Sequence, residues 1–381
     1  MGKGKYLRKQ KVSTGKKILR VVLAIVLVLV LLIGAVAAFI WSKLGKITYD
    51  DGSRKETIST VETLPLMTDP TDMPMQTEAV GETETVPATE GDDETEPEDI
   101  VDMGDLSMQE APSYSSGDLF KDKNVMNILL IGTDERTEGF VQSSRGDVNI
   151  LVSINKAENT VKLVSFSRGM AIKMLDGPYA GKYEWLTNAH RWAGHEAVTQ
   201  ALSEAFKIEL DHYVRINFYT VEKVVDAIGG IDMELTQAEV DKMMIDRQKW
   251  GLVEGVNHLT GEMALRFARL RKVDDDWGRM VRQRKCIMAV IEKLKGSSFS
   301  TLNELCDLAL PMIQTNLTKM EIAELILYSP KFISSEFDQM TIPIANSYGG
   351  MTVMSGAGGW ALDYEKNNAA LHEFLFGTDA E

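Results

Sequence analysis

The strongest pattern along the chain is an unbroken apolar run from Val21 to Trp41, VVLAIVLVLVLLIGAVAAFIW. At ~1.5 Å rise per residue it would reach about 31 Å as a helix, enough to cross a bilayer core. It continues past Ala35-Val36-Ala37, the small residues a cleaved leader would offer, so an uncleaved anchor is expected. Residues 42–120 then lose all periodicity. They mix Thr, Glu, Asp, Pro, Met and Ser, as in TETVPATEGDDETEPED, and predict an extended, solvated linker.

Periodicity returns at Met126. Asn127 to Ile131 is a short apolar run ending in Gly132, the mark of a buried strand. Val148–Ile154 and Val161–Phe166, joined by a polar turn over 155–160, predict a β-hairpin. Ala197, Ala201, Leu202 and Ala205 have helical spacing over 195–207. Tyr213–Phe218 reads as a strand, Thr220–Ile228 as a helix with Gly229 as its left-handed cap, and Ile231–Leu235 as a strand. Thr236 with Glu239, and Thr318 with Glu321, form capping boxes that open two further helices. The expected fold is α/β (α+β), a mixed central β-sheet flanked by helices, in one domain over 121–381.

Charge divides the chain further. Residues 1–20 carry eight Lys/Arg and no acid, whereas 56–120 carry eighteen Asp/Glu and no Lys or Arg. A basic tail before an apolar run stays in the cytoplasm, which puts the domain outside the membrane. The expected order is therefore a basic tail (1–20), an anchor (21–41), an acidic linker (42–120) and an extracellular domain (121–381), with the lipid bilayer as a partner. Nucleic acid is not expected as a partner, because the one basic tail ends at the membrane segment. Cys286 and Cys306 would both be exported, so either a bridge or two buried thiols is open. The five histidines form no metal-binding pair at helical spacing.

Two clusters could carry chemistry. Residues 266–285 hold eight Lys/Arg, six of them Arg, against three Asp. Arginine's planar fork grips phosphate oxygens through two bonds at once. Arg279, Arg282 and Gln283 share one face of a helix, and Met280, Ile287, Ile291 and Leu294 form a separate apolar stripe. Arg269 and Arg271 would point the same way in an extended chain. The alternative is a solvated basic helix balanced by Asp274 to Asp276. The second cluster lies at predicted strand ends: Asp134 in GTDER, Arg145 and Asp147 in RGD, and Arg168 in SFSR. Two carboxylates there could ligate Mg2+, a hard cation that bridges to phosphates, although Asp134 also suits an ordinary turn. Together the clusters suggest pyrophosphate and Mg2+ chemistry.

The segments NILLIGTDER, RGDVNILVSIN, VKLVSFSR, LTNAH, DHYVRINF, VDAIGGIDMEL, GVNHLTGEMALRFARLRK and DDDWGRMVRQRK follow one another in order. In these the chain resembles the LytR-CpsA-Psr family over about 127–295, and more loosely to about 377. The resemblance implies transfer of an anionic glycopolymer from a polyprenyl-pyrophosphate carrier onto peptidoglycan, assisted by Mg2+, with a pocket for the polyprenyl chain. By position it assigns Asp134 and Asp147 to the metal. It assigns Arg145, Arg168, Arg269, Arg271, Arg279, Arg282 and Gln283 to the pyrophosphate, with Asp134, Asp147, Arg168, Arg269 and Arg271 as the catalytic set. The chain departs from the family's usual Pro-Arg-Asp at Ser167-Arg168-Gly169, and from its usual Lys at Trp185. A lipid-linked-precursor sensor and a pyrophosphatase are the competing functions. The short tail is too small to hold a DNA-binding domain.

Overall fold

The computed structural model describes residues 41–49 and 111–377, apart from 113, 115–117, 142–143, 176–178, 211, 245–249, 272, 275, 296, 334 and 336. The basic tail and nearly all of the apolar run lie outside the described residues. Among the described residues no helix is long and apolar enough to cross a membrane.

In chain order the elements begin with β1 (Thr48–Tyr49), β2 (Val125–Thr133), β3 (Gly146–Asn155) and β4 (Thr160–Phe166). A short hairpin of β5 (Ala171–Lys173) and β6 (Tyr183–Trp185) leads into α1 (Leu186–Phe206). Next come β7 (His212–Asn217), α2 (Phe218–Ala227), β8 (Ile231–Leu235), α3 (Gln237–Met244), β9 (Gly255–Leu259) and α4 (Gly261–Ala268). The long α5 (Asp276–Lys295) is followed by α6 (Phe299–Ala309), β10 (Gln314–Thr315) and α7 (Lys319–Ile333). The chain closes with β11 (Phe337–Ile342), the hairpin of β12 (Tyr348–Thr352) and β13 (Gly358–Leu362), and α8 (Tyr364–Phe376).

Seven strands form the central sheet in the order β1-β10-β7-β2-β3-β4-β11. The β2–β3 and β3–β4 pairs are antiparallel, whereas β7 and β11 join in parallel, so the sheet is mixed as expected. The inner strands are apolar on both sides because both faces are covered. On one face Leu129, Ile131, Leu151, Val164 and Phe166 pack against Leu186, Leu202 and Phe206 of α1 and Leu371 of α8. On the other, Ile128, Ile150, Val161 and Leu163 meet Ile287 and Met288 of α5 and Ile322, Leu325 and Phe332 of α7. Each such side chain removed from water contributes about 1.5–3 kcal/mol. A third cluster, with Val225, Ile231, Leu235, Val240 and Phe267, lies beneath the β8–β9 hairpin.

Both capping boxes form. The Thr236 amide donates to Glu239 at 2.9 Å and the Glu239 amide to the Thr236 hydroxyl at 3.3 Å, and Thr318 and Glu321 repeat the exchange at 2.7 and 3.3 Å. Gly229 takes φ 78° just past α2. The helix expected at 195–207 begins earlier, at Leu186, and kinks at Gly194. Cys286 and Cys306 are free thiols. The expected apolar stripe of α5 divides between two cores: Ile287 faces the sheet, while Leu294 joins Val290 and Cys286 against the third cluster.

The linker expectation needs correcting at both ends. Residues 41–49 are part of the folded body. Leu44 is fully buried, β1 pairs in parallel with β10, and Asp307 takes Lys43 and, at 2.7 Å, Lys46. At the other end Ala111 is buried and its amide donates to the Tyr183 hydroxyl at 2.6 Å, while Phe120 bridges to Ile208. Short apolar pairs such as Leu44 and Ile47 carry no periodic signal of their own, and a two-residue strand exists only through its partner edge. The acidic stretch 50–110 lies outside the described residues. If the chain is cut at a protease site inserted after Val80, in detergent, the N-terminal fragment should co-elute with the domain in size-exclusion chromatography. Separation of the two fragments without denaturant would contradict the docking of 41–49.

Candidate active site

The site lies where β2 and β4 end and β3 begins, beside the N-terminus of α5. Asp147 is the second residue of β3. Its carboxylate meets Arg168 Nη1 at 3.4 Å and Arg279 Nη2 at 3.3 Å, and accepts from the Thr187 hydroxyl at 3.2 Å. Asp276, the first residue of α5, meets Arg168 Nε at 3.2 Å and Arg279 Nη1 at 3.5 Å. Asp147, Arg168, Asp276 and Arg279 thus close a ring of alternating charge. Arg279 also donates to the Asp147 carbonyl at 3.2 Å, which ties α5 to the start of β3.

The electrostatics follow from burial and from this ring. Burial would raise the Asp147 carboxyl, but Arg279, Arg168, Arg271 and Arg269 overcome it and hold the group far below the usual carboxylate range. Burial, together with repulsion from Arg168 and Arg271, pushes Arg279 down to about 10 despite Asp147 and Asp276. Asp134 behaves oppositely. Burial raises its carboxyl, Asp147 and Glu135 raise it further, and the 3.0 Å bond from the Arg145 amide opposes them. Burial also lowers Arg269, and Arg136 adds repulsion. Among the described residues the Arg269 side chain makes no hydrogen bond or ion pair; its guanidinium lies 4.5 Å over the Phe218 ring. Arg145, Arg168, Arg269, Arg271 and Arg279 outnumber Asp134, Asp147 and Asp276, a positive excess among mostly half-buried side chains.

The loop that carries Asp134 and Arg145 is braced from below. Arg215 of β7, almost fully buried, binds Glu135 at 2.6 Å and donates to the Val141 carbonyl and the Ser144 hydroxyl, both at 2.7 Å. The loop that carries Arg269 and Arg271 is held by Arg282. Its two terminal nitrogens bind the Asp274 carboxylate at 2.7 and 2.6 Å, and it also donates to the Leu270 carbonyl at 3.2 Å.

The structure therefore brings Asp134, Arg145, Asp147, Arg168, Arg269, Arg271 and Arg279 together. Arg269 caps α4 and Arg271 follows in coil, so no extended strand is involved, yet both act on Asp147. Arg282 stands apart, because its fork is already filled by Asp274 and it acts through the loop it anchors. Gln283 is buried beside it with no hydrogen-bond partner among the described residues. The solvated-helix alternative is excluded by the burial of Arg279, Arg282, Gln283 and Arg284. Sequence reasoning missed Asp276 and Thr187. The i,i+3 spacing of Asp276 to Arg279 was a usable signal, whereas nothing local marks Thr187. It also missed His190, a fully buried ring lying against Gly146. Burial, with Arg215 and His195 adding repulsion, pushes His190 down to about 3.

The LytR_cpsA_psr family profile matches residues 81–370. The chain belongs to this family. A curated relative within it is the polyisoprenyl-teichoic acid–peptidoglycan teichoic acid transferase TagU of Bacillus mycoides (strain KBAB4), 29% identical over 205 residues. That match takes in 52% of this chain and 63% of the relative, so the chain spans less than two thirds of that protein's length. TagT of Bacillus subtilis (strain 168), named for the same transferase activity, is 28% identical over 243 residues, 62% of this chain and 73% of that protein. A solved structure of TagT bound to LIIa-WTA superposes with a TM-score of 0.53 at 26% identity, covering 66% of this chain and 91% of that one. This LytR_cpsA_psr chain shares their mixed sheet flanked by helices.

Removing the anion from the ring should be costly. Asp147→Asn leaves the buried Arg279 with only its longer contact to Asp276 and should lower unfolding free energy by about 3 kcal/mol. Arg269→Ala, which breaks no ion pair, should cost about 1 kcal/mol or less. Urea unfolding of the two variants checks this, and equal costs would contradict the ring.

His190 has a sign that can be worked out. Its folded pKa, about 3, lies below the ordinary imidazole value of 6.5, so below pH 6.5 the unfolded chain binds a proton that the folded chain refuses. Stability should therefore fall as pH drops through this window, by about 1.4 kcal/mol per unit for this group. In His190→Gln the slope of unfolding free energy against pH between 6 and 4 should flatten by that amount. An unaltered slope would show that the ring is protonated in the folded state.

Proposed function

We propose that this chain is a membrane-anchored phosphotransferase that moves an anionic glycopolymer from a polyprenyl-pyrophosphate carrier to peptidoglycan. The observation that carries the reading is Arg269, a half-buried guanidinium without an anion of its own, set beside a ring whose carboxylates are already taken. A pyrophosphate supplies the missing negative charge and the bidentate geometry that arginine prefers. The chain's family, and the transferase names of its curated relatives, support the same reading.

The donor set also suits Mg2+. Asp134 and Asp147 offer hard oxygens, and among the described residues no group of three or more ligand-type side chains is present. Two carboxylates with phosphate oxygens and water match the needs of Mg2+, which keeps part of its hydration shell. Of the pair, Asp134 has the carboxyl not tied to a guanidinium, and repulsion from Asp147 favours a cation there. Such an ion would supply charge neutralisation between the carboxylates and the phosphates.

The chain's own residues do the rest. Arg269, Arg271 and Arg279 hold the phosphate oxygens, and Arg168 is aimed by Asp147 and Asp276. The acceptor hydroxyl attacks the sugar-side phosphorus, and the bond to the bridging oxygen breaks, so polyprenyl phosphate departs. Catalysis is mostly positioning and preorganised charge. Asp147 is a poor proton acceptor because its carboxyl is held so low, and His190 is buried and pushed down to about 3. Asp134, raised by burial, has the greater proton affinity of the carboxylates while it holds no cation. The polyprenyl chain would lie along the apolar face under α5 and α7, where Val148, Ile287 and Met288 are only partly buried.

The purified chain in detergent, given a polyprenyl-pyrophosphate-linked sugar, peptidoglycan oligomers and Mg2+, should form a sugar-phosphate-glycan diester. Free sugar phosphate alone, with acceptor in excess, would favour a pyrophosphatase. Tight lipid binding without turnover would favour a sensor. Arg269→Lys keeps the charge but loses the fork, and should weaken binding of polyprenyl pyrophosphate about tenfold or more. An unchanged dissociation constant would remove Arg269 from the site.

A further inference from the structure

Helix α7 is apolar on more sides than the fold uses. Inward, Ile322, Leu325, Tyr328 and Phe332 pack on the sheet. Outward, Met320 is 71% exposed and Leu327 67%. They lie two turns apart on one side of the helix, about 10.5 Å along its axis. Ile326, beside Leu327, is exposed as well. A helix apolar all round is ordinarily enclosed, and large apolar side chains exposed in one place mark a docking surface.

The acids of this helix are already engaged. Glu321 accepts from the Thr318 amide at 2.7 Å and meets His212 at 3.4 Å, and Glu324 binds Lys156 at 2.8 Å. Lys319 makes no ion pair among the described residues. Its ammonium lies over the Trp41 ring at 5.4 Å and the Tyr49 ring at 5.5 Å. Lys331, near the other end of the helix, is exposed. The face is therefore apolar with a cationic margin.

Its place in the fold is fixed by three contacts. Glu321 meets His212 at the start of β7, Lys156 lies in the β3–β4 turn, and the Ser335 hydroxyl, just past the helix, donates to the Asn159 carbonyl of that turn at 2.7 Å. The helix thus crosses the sheet from β7 to β4 at the end away from the arginine site, because β2 and β7 finish at Thr133 and Asn217 on the other end. Trp41 stands at the start of this helix, 57% exposed. The apolar run that begins at Val21, long enough to cross a bilayer core, ends at this residue. Trp and Tyr rings beside a lysine ammonium are the side chains that settle at lipid headgroups.

We infer that the outward face of α7, with Trp41, Tyr49 and Lys319, rests on the outer leaflet of the bilayer. Met320, Ile326 and Leu327 enter the boundary between headgroups and acyl chains, while Lys319 and Lys331 meet lipid phosphates. The arginine cleft then faces away from the membrane. The inference rests on the membrane-anchored reading, and the test separates the two. The full chain is reconstituted in vesicles of phosphatidylglycerol and phosphatidylcholine in equal parts, with a photoreactive benzophenone amino acid placed in turn at Met320, Leu327, Val141 or Ala369. All four side chains are exposed; Val141 lies in the arginine-site loop and Ala369 on α8, across the sheet. Irradiation should give lipid adducts at 320 and 327 in about fivefold or greater yield than at 141 and 369. Leu327→Asp should lower the adduct at 320 about twofold or more, while the chain still floats with the vesicles after alkaline carbonate washing. Equal yields at the four positions, an adduct at 320 unaltered by Leu327→Asp, or crosslinks from 320 to a second copy of this chain in place of lipid would overturn the docking face and leave the anchor standing. Loss of the wild-type chain from the vesicles in carbonate would overturn the anchor and the face with it.

Discussion

The site is organised around one buried negative charge. Asp147 sits among four guanidiniums and pairs directly with two of them, Arg168 and the almost fully buried Arg279. Removing an isolated ion from solvent costs several kcal/mol even after relaxation, and only close opposite charges with good hydrogen bonds offset that. The ring of Asp147, Arg168, Asp276 and Arg279 meets the condition by alternation. Each carboxylate touches two arginines and each arginine two carboxylates. Because the four residues come from the start of β3, the end of β4 and the first turns of α5, the ring also fixes how the helix seats on the sheet.

Rigidity below the ring makes the charge useful. The loops that present Asp134 and Arg269 have no regular structure, yet each is held by a buried arginine doing structural duty, Arg215 in one case and Arg282 in the other. Side chains of one kind therefore divide into two roles. Arg215 and Arg282, whose forks are filled by Glu135 and Asp274, shape the loops, whereas the Arg269 guanidinium has no carboxylate bound to it. A pre-set excess of positive charge costs little reorganisation when the anion arrives, which is the basis of electrostatic catalysis.

Much of this was legible before any coordinates. The β3–β4 hairpin could be read because alternation and a polar turn are local signals. The capping boxes could be read because their two partners lie three residues apart. The arginine cluster could be read from density alone. Partnership could not. Helical spacing puts Arg279 and Arg282 on one face, but it does not say that Asp147 waits for the first and Asp274 for the second. Periodicity likewise misplaced the start of α1, since Gly194 interrupts the helix and resets its phase. The first turns of that helix carry Thr187 and His190, which is why both went unseen.

The docking of residues 41–49 alters the mechanics of the acidic stretch that follows. With Tyr49 on a sheet edge and Ala111 buried near α1, residues 50–110 begin and end on the same body. Their contour length cannot then set the stand-off between Trp41 and Asp147, which is fixed by the fold. Lengthening the chain between two fixed points costs little, about 0.6 kcal/mol for each doubling of length. Insertions and deletions there should be nearly neutral for the fold, because the separation of Trp41 and Asp147 is set by the folded body on which both stand.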